Sequence, residues 1–153
     1  GAHVIAVEPT PAIRRAFRLR RLGNAARRRL EVVDGAAEAL PVVDRSIDAI
    51  WAVNSMHHWV DPERSVAEIA RVLRPGGRLL LVDEEFTDPT HPEHDRFGDA
   101  HGPEHHGFTL VDADRMGRLL SDAGLIEVES GKHRVGGRPA IRVTACGGPG
   151  GAR

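Results

Sequence analysis

Residues 46–83 constrain the fold of this chain more than any other segment. They contain, in order, an apolar strand (47–53), a polar loop, an amphipathic helix (62–73), a Pro-Gly-Gly turn (75–77) and a second apolar strand (78–82). Asp61 and Pro62 supply the cap and the first turn of that helix. Two buried strands joined through a helix form a parallel pair with a right-handed crossover. The segment therefore predicts an open α/β sheet.

The same alternation continues on both sides of this unit. Further apolar strands are predicted at 3–7, 30–33, 125–129 and 141–146, the last two being joined through Gly136-Gly137. Helical segments are predicted at 11–23, 36–40 and 111–123. Together these elements predict a Rossmann-like α/β fold with a mostly parallel sheet, helices on both faces and a C-terminal antiparallel strand pair.

The 153 residues are long enough for one domain, which we place at 1–146. Residues 83–107 show no periodicity and are rich in prolines, acids and histidines, which indicates a long loop on the substrate side of the domain. Residues 147–153 are Gly-rich, and we expect a disordered tail there.

Composition excludes several classes of partner. The net charge of -1 argues against general affinity for nucleic acid. No apolar run approaches the roughly 20 residues that a membrane helix requires. The single cysteine, Cys146, allows no internal disulfide and fits a reducing cytoplasm.

Acidic residues follow the first two strands of the predicted sheet. Glu8-Pro9 ends the strand at 3–7, and Asp34-Gly35-Ala36 ends the strand at 30–33. Open α/β sheets bind ligands at the carboxyl ends of their strands, where a carboxylate can accept hydrogen bonds from ribose hydroxyls or from an adenine amino group. The alternatives are that Glu8 only caps the next helix and that Asp34-Gly35 is an ordinary turn.

A polar loop, Asn54-Ser55-Met56-His57-His58-Trp59, follows the third strand. It can offer an amide, backbone carbonyls and an imidazole to a polar ligand, and His57 and His58 are weak candidates for a general base because neither has an acid nearby in sequence. Alternatively, one histidine and Trp59 pack beneath the following helix. Five more histidines lie between 91 and 106, but their spacing matches no metal motif, and we expect no metal site.

These features form one ordered series that also includes Leu40-Pro41, Ser46-Ile47-Asp48 and Leu73-Arg74-Pro75-Gly76-Gly77. The series resembles class I S-adenosylmethionine-dependent methyltransferases, in particular the ubiquinone/menaquinone-biosynthesis-like branch that acts on small molecules. The resemblance implies S-adenosyl-L-methionine as cofactor, with Glu8 and Pro9 at its ribose, residues 34–36 around its adenine, and Asn54 and Ser55 beside its methionine part. It also implies methyl transfer to a small-molecule acceptor.

The chain departs from that family pattern at its start. The family's first strand and Gly-rich loop are not found in residues 1–153; the strand would lie between those at 3–7 and 47–53. We therefore expect these two strands either to pair directly or to leave a gap that drives association with another copy, and we expect the chain alone to bind S-adenosylmethionine weakly or not at all. The alternatives are a fragment of an NAD-binding Rossmann-type oxidoreductase and a non-catalytic methyltransferase-like module.

Overall fold

The structure, a computed structural model, describes residues 1–22, 28–99, 108–110 and 112–149. The strands of this part of the chain are β1 (Val4–Val7), β2 (Leu30–Val33), β3 (Ile47–Val53), β4 (Leu73–Glu84), β5 (Ile126–Val135) and β6 (Arg138–Cys146). Its helices are α1 (Pro11–Leu22), α2 (Pro62–Val72), α3 (His94–Phe97) and α4 (Ala113–Asp122). A short 3-10 turn covers Met56–His58.

The strands form two sheets. β1 and β2 are a parallel pair, and β3, β4, β6 and β5 form a four-stranded sheet in that order. Within the larger sheet β3 and β4 are parallel, whereas β6 runs antiparallel to both of its neighbours. The Rossmann-like α/β class with a C-terminal antiparallel pair is thereby confirmed. Direct pairing of β1 with β3 is not found among the described residues, so that prediction is wrong; association with another copy remains a prediction.

The split of the sheet exposes apolar side chains that the sequence predicted to be buried. Trp51 and Val53 on β3 are 59% and 55% exposed, and they lie on one face of the strand because they are two residues apart. Ile13 and Phe17 on α1, which lie on one face of the helix because they are four residues apart, are 44% and 40% exposed. The prediction of a fully buried third strand is wrong because β3 is paired only with β4 among the described residues.

The core lies where α2 and α4 pack against the four-stranded sheet. Asp61 caps α2 by accepting a hydrogen bond from the Arg64 backbone N–H at 3.0 Å, as predicted. The apolar face of α2 is buried, with Val66 1% and Ile69 3% exposed. Burial of this face and of the inward side chains of the sheet removes apolar surface from water, and this burial stabilises the domain.

The turn predicted at 75–77 lies inside β4, because α2 ends at Val72 and the strand begins at the next residue. The register of β3 against β4 shifts from Ile47 to Ala49, and the extra residues of β4 form a bulge there. Gly76 has a φ of 74°, and its N–H donates to the Gly147 carbonyl at 2.9 Å. Gly147 is therefore hydrogen-bonded to β4, and the disordered tail stays a prediction; residues 150–153 lie outside the described part.

Other element bounds differ more modestly. Residues 36–40 form a turn closed by a hydrogen bond from the Ala39 N–H to the Ala36 carbonyl (3.1 Å) rather than a helix. The closing hairpin is longer than predicted and turns at Gly136-Gly137 as expected. The predicted end of α1 at Gly23 lies outside the described residues. None of the helices described is long and apolar enough to cross a membrane.

Candidate functional site

The acidic residues at the ends of β1 and β2 lie side by side. Val7 is in register with Val33, and the Glu8 N–H donates to the Val33 carbonyl at 3.2 Å, so Glu8 and Asp34 leave the sheet at the same edge. Arg14 of α1 joins them, because its guanidinium donates to the Glu8 carbonyl at 2.8 Å and pairs with the Asp34 carboxylate at 2.8 Å. The predicted convergence of these two residues on one edge is confirmed.

Both carboxylates already have contacts within the chain. Glu8 Oε1 accepts from the Thr10 N–H at 2.8 Å, which is the capping contact of the alternative interpretation. Asp34 pairs with Arg14, yet its side chain is 72% exposed. A carboxylate has about four lone-pair sites, so each can still accept hydrogen bonds from a ligand.

Gly35 is required by the packing of the chain itself. A Cβ at this position would lie 2.7 Å from Pro41 Cδ and 3.0 Å from Val7 Cγ1, both too close for van der Waals contact. Its neighbour Ala36 is half-buried and is bridged to Ala39. The Gly-Ala step thus holds the loop after β2 tightly against β1, which fixes the position of Asp34.

The loop after β3 begins with a strained residue and ends in the core. Asn54 has a φ of 50°, a left-handed conformation that asparagine tolerates better than most residues, and its N–H donates to the Val82 carbonyl at 2.9 Å. Met56 and Trp59 are buried at 1% and 6% exposure, so Trp59 packs in the core rather than forming a wall of the site. Ser55 is half-buried and precedes the 3-10 turn that carries both histidines.

His57 has an acidic partner that sequence reasoning missed. Its Nδ1 lies 2.7 Å from Oδ1 of Asp83, a residue 26 positions later that is 3% exposed. The Asp83 carboxylate also accepts from the backbone N–H groups of His57 at 3.1 Å and of Glu84 at 2.8 Å. The available signal was an acid at the carboxyl end of β4, since that end meets the end of β3 at one edge of a parallel pair.

Aromatic rings surround the His57 imidazole. Its centroid lies 4.8 Å from that of Phe108, 5.4 Å from that of Phe86 and 4.1 Å from that of His58. The Thr109 N–H donates to the His57 carbonyl at 2.9 Å, which ties the loop to a later part of the chain. The imidazole is thereby held in one place, with its side chain 11% exposed.

Charged residues at the ends of β1 and β4 affect the pKa of His58. Burial and the neighbouring His57 lower the pKa of His58, whereas the charges of Asp83 and Glu8 oppose that change. The direction favours the neutral imidazole of His58. Glu8 is among the groups that act on it, although β1 and β3 are not paired among the described residues.

A pocket of about 150 Å³ opens beside His57. Apolar lining residues include Met56 and Phe86, and residues 84–87 come from the segment predicted to lie on the substrate side. Among the described residues that line it, four are acids and none is lysine or arginine; the acids are Asp83, Glu84, Glu85 and Asp112. The pocket therefore disfavours anionic ligands.

A second polar cluster lies close to this pocket. Glu85 and His91 are 4% and 3% exposed, and Lys132 Nζ lies 3.7 Å from Glu85 Oε2. Within the described ranges, no three His, Cys, Asp or Glu side chains are grouped closely enough to hold a metal ion. His101, His105 and His106 lie outside those ranges.

Sequence comparison connects this arrangement with known proteins. A model of the family described as "Methyltransferase domain" matches residues 1–81. The chain is 44% identical over 82 residues to an uncharacterized methyltransferase of Mycobacterium tuberculosis, covering 54% of this chain and 31% of that protein. It is 33% identical over 106 residues to the O-methyltransferase cnsE of Penicillium expansum, covering 68% and 37%. It is 43% identical over 63 residues to the ubiquinone/menaquinone biosynthesis C-methyltransferase UbiE of Hahella chejuensis, covering 41% and 24%.

The chain thus spans between 24% and 37% of the length of these curated relatives. Among solved structures, a SAM-dependent methyltransferase from Thermotoga maritima superposes with a TM-score of 0.70 and 21% identity, over 93% of this chain and 72% of that one. This likeness concerns the fold, and it extends past the segment that the family model matches. Because the family model matches more than half of the chain, the chain belongs to the methyltransferase-domain family.

Proposed function

We propose that this chain carries a site for methyl transfer from S-adenosylmethionine to a small-molecule acceptor. Membership in the family supports methyl transfer in general. The polar residues at the ends of β1, β2 and β3 support a binding site for the cofactor, and the pocket beside His57 supports a binding site for the acceptor.

The polar groups at this edge fit an adenosine. Glu8, with Pro9 next to it, would accept from the ribose hydroxyls, and Asp34 would accept from the adenine amino group, with Gly35 and Ala36 against the ring. Asn54 and Ser55 would meet the methionine part. When bound, the cofactor supplies an electrophilic methyl group on a sulfonium centre.

One observation carries the proposal: Glu8 and Asp34 leave the paired strands β1 and β2 at the same edge. The charge of Glu8 is also one of the causes that act on the pKa of His58, in the histidine loop that borders the acceptor pocket, which supports neighbouring sites for donor and acceptor. A methyl donor and its acceptor must meet in this way, because positioning supplies much of the rate acceleration of a displacement reaction.

The test is a titration of the ¹⁵N-labelled chain with S-adenosylhomocysteine, followed by amide chemical shifts. The proposed site requires weak binding rather than none, so the ligand is taken to millimolar concentration. We expect changes at Glu8, Asp34 and Gly35, with weaker binding in Asp34→Asn and unchanged binding in Asp48→Asn, whose exposed carboxylate lies on β3 away from this edge.

NAD at the same concentration is the comparison. If S-adenosylhomocysteine leaves these amides unchanged, or if NAD moves them more strongly, the proposed function is wrong. The second result would favour the oxidoreductase interpretation.

A further inference from the structure

We propose that His57 is the general base of the reaction, that Asp83 positions it, and that the acceptor reacts through a neutral hydroxyl group. This inference rests on the proposed function and specifies its acceptor. It assigns a role to Asp83, which lies beyond the segment that the family model matches.

The contacts of Asp83 fix which nitrogen of His57 carries the proton. The two backbone N–H groups that reach Asp83 can only donate, and they hold both of its oxygens as acceptors, at 3.1 Å from His57 and 2.8 Å from Glu84. An ionised carboxylate only accepts, so the 2.7 Å contact places the proton on His57 Nδ1. The basic lone pair is then on Nε2.

The free nitrogen belongs to a side chain that lines the acceptor pocket. Within the described part of the chain, His57 Nε2 makes no hydrogen bond, and His57 lines the pocket together with Asp83 and Phe86. The edge-on rings of Phe86 and Phe108 restrict the imidazole. An oriented base with an unoccupied lone pair is what proton removal during a reaction requires.

The charge of the pocket selects the class of acceptor. No lysine or arginine among its described lining residues could hold a carboxylate or a preformed oxyanion. Two of the four acids face cations, Glu84 with Arg138 at 3.0 Å and Glu85 with Lys132 at 3.7 Å. Beside the other two, Asp83 and Asp112, an amine would be held as an ammonium ion, which has no lone pair with which to attack. A hydroxyl remains neutral there, and it requires a base.

The size and the lining of the pocket refine this class. Its volume of about 150 Å³ suits only the reacting end of a molecule, since sites for whole drug-sized ligands are roughly 300–1,000 Å³. Phe86 offers an apolar ring contact. A phenolic hydroxyl, whose pKa is about 10 as in tyrosine, gives up its proton to imidazole more readily than an aliphatic alcohol does.

The proposed reaction step transfers one methyl group and one proton. The acceptor oxygen forms a bond to the methyl carbon while the bond between that carbon and the sulfur breaks, and its electron pair stays on the sulfur. The hydroxyl proton moves to His57 Nε2, which gives an imidazolium beside Asp83. The products are a methyl ether and neutral S-adenosylhomocysteine, and the proton later passes to solvent.

The tautomer of His57 provides a test that does not require turnover. In long-range ¹H–¹⁵N spectra of the chain labelled at histidine, we expect His57 in the Nδ1–H form at neutral pH. Asp83→Asn should move it largely to the Nε2–H form, because the amide can present a donor to Nδ1. His133→Gln, a substitution at an exposed histidine of β5, should leave the His57 signals unchanged. Finding the Nε2–H form in the unmodified chain would overturn the proposal.

Acceptor class is tested in the same spectra with phenol and benzoate as probes. Phenol should shift the Nε2 signal of His57, and benzoate at the same concentration should not; His57→Gln, which keeps Asp83 intact, should abolish the amide changes that phenol causes around the pocket. If benzoate acts as strongly as phenol, or if phenol leaves Nε2 unchanged, the hydroxyl assignment is wrong. A failed S-adenosylhomocysteine titration with the expected His57 spectra would instead refute the methyl-transfer site alone.

Discussion

Arg71 of α2 holds the loop between residues 40 and 46, and its replacement by methionine should destabilise the domain. The guanidinium donates to the Val42 carbonyl at 2.9 Å and to the Leu40 carbonyl at 3.0 Å. It also pairs with both oxygens of Glu68 at 2.7 Å and with Asp44 at 2.5 Å. Arg71→Met keeps the aliphatic stem but removes all of these bonds.

The magnitude follows from the two carbonyl bonds. A hydrogen bond to a charged group contributes about 1.5–3 kcal/mol, and the 30% exposure of the Arg71 side chain places both bonds near the lower end. The pair with Asp44, which is 69% exposed, contributes little, about 0–1 kcal/mol. We expect a loss of about 3 kcal/mol in the free energy of unfolding.

Urea unfolding followed by circular dichroism measures this loss. Arg74→Met is the matched control, because the one ion pair that Arg74 makes with a described residue is with Asp48, and both side chains are more than half exposed, at 56% and 68%. Its cost should stay within about 1 kcal/mol. If the two variants unfold at the same urea concentration, the loop is not held by Arg71 in the way we describe.

The pH dependence gives the same prediction a second readout. The hydrogen bond from Arg71 lowers the pKa of Glu68 from its ordinary 4.5, although desolvation opposes the change. A lowered folded-state pKa contributes stability that is present above 4.5 and is lost as the pH falls through the folded-state value. The difference between native chain and Arg71→Met should therefore be largest at neutral pH and shrink in acid.

Two further predictions concern other parts of the chain. Gly35→Ala should lower the thermal midpoint, at a cost of about 1–3 kcal/mol, because its Cβ would lie 2.7 Å from Pro41 Cδ; an unchanged midpoint would contradict this account of the glycine. The hydrogen bond from the Cys146 thiol to Glu127, at 3.3 Å, raises the pKa of Cys146, so alkylation by iodoacetamide should be slow at neutral pH and should accelerate in Glu127→Gln. Equal rates in the two proteins would show that Glu127 does not control the thiol.

The individual helices and strands could be predicted well from the sequence, because the residues that indicate each of them lie close together in the chain. The cap at Asp61, the apolar face of α2 and the apolar residues of β3 each depend on neighbours within a few positions. What could not be predicted was the split of the sheet and the exposure of Trp51 and Val53. These depend on which strands pair across the sheet, and apolar periodicity does not contain that information.

The candidate site shows the same division. Glu8 and Asp34 could be placed together because parallel strands end at a common edge. The pairing of His57 with Asp83 spans 26 positions and depends on the register of β3 against β4, which the bulge near Ile47 alters. The acid at the end of β4 indicates a shared edge with the histidine loop, but the contact between the two side chains depends on this register.

The position of Asp83 has a consequence for how such chains diverge. The family signature stops at residue 81, whereas the carboxylate that orients the imidazole sits two residues later, in register with Ile141 of the C-terminal hairpin. Exchanging everything after that boundary between relatives would keep Glu8, Asp34 and His57, and would replace the carboxylate beside the imidazole and most of the pocket lining. Relatives that share this signature are therefore free to differ in the acceptor that they bind.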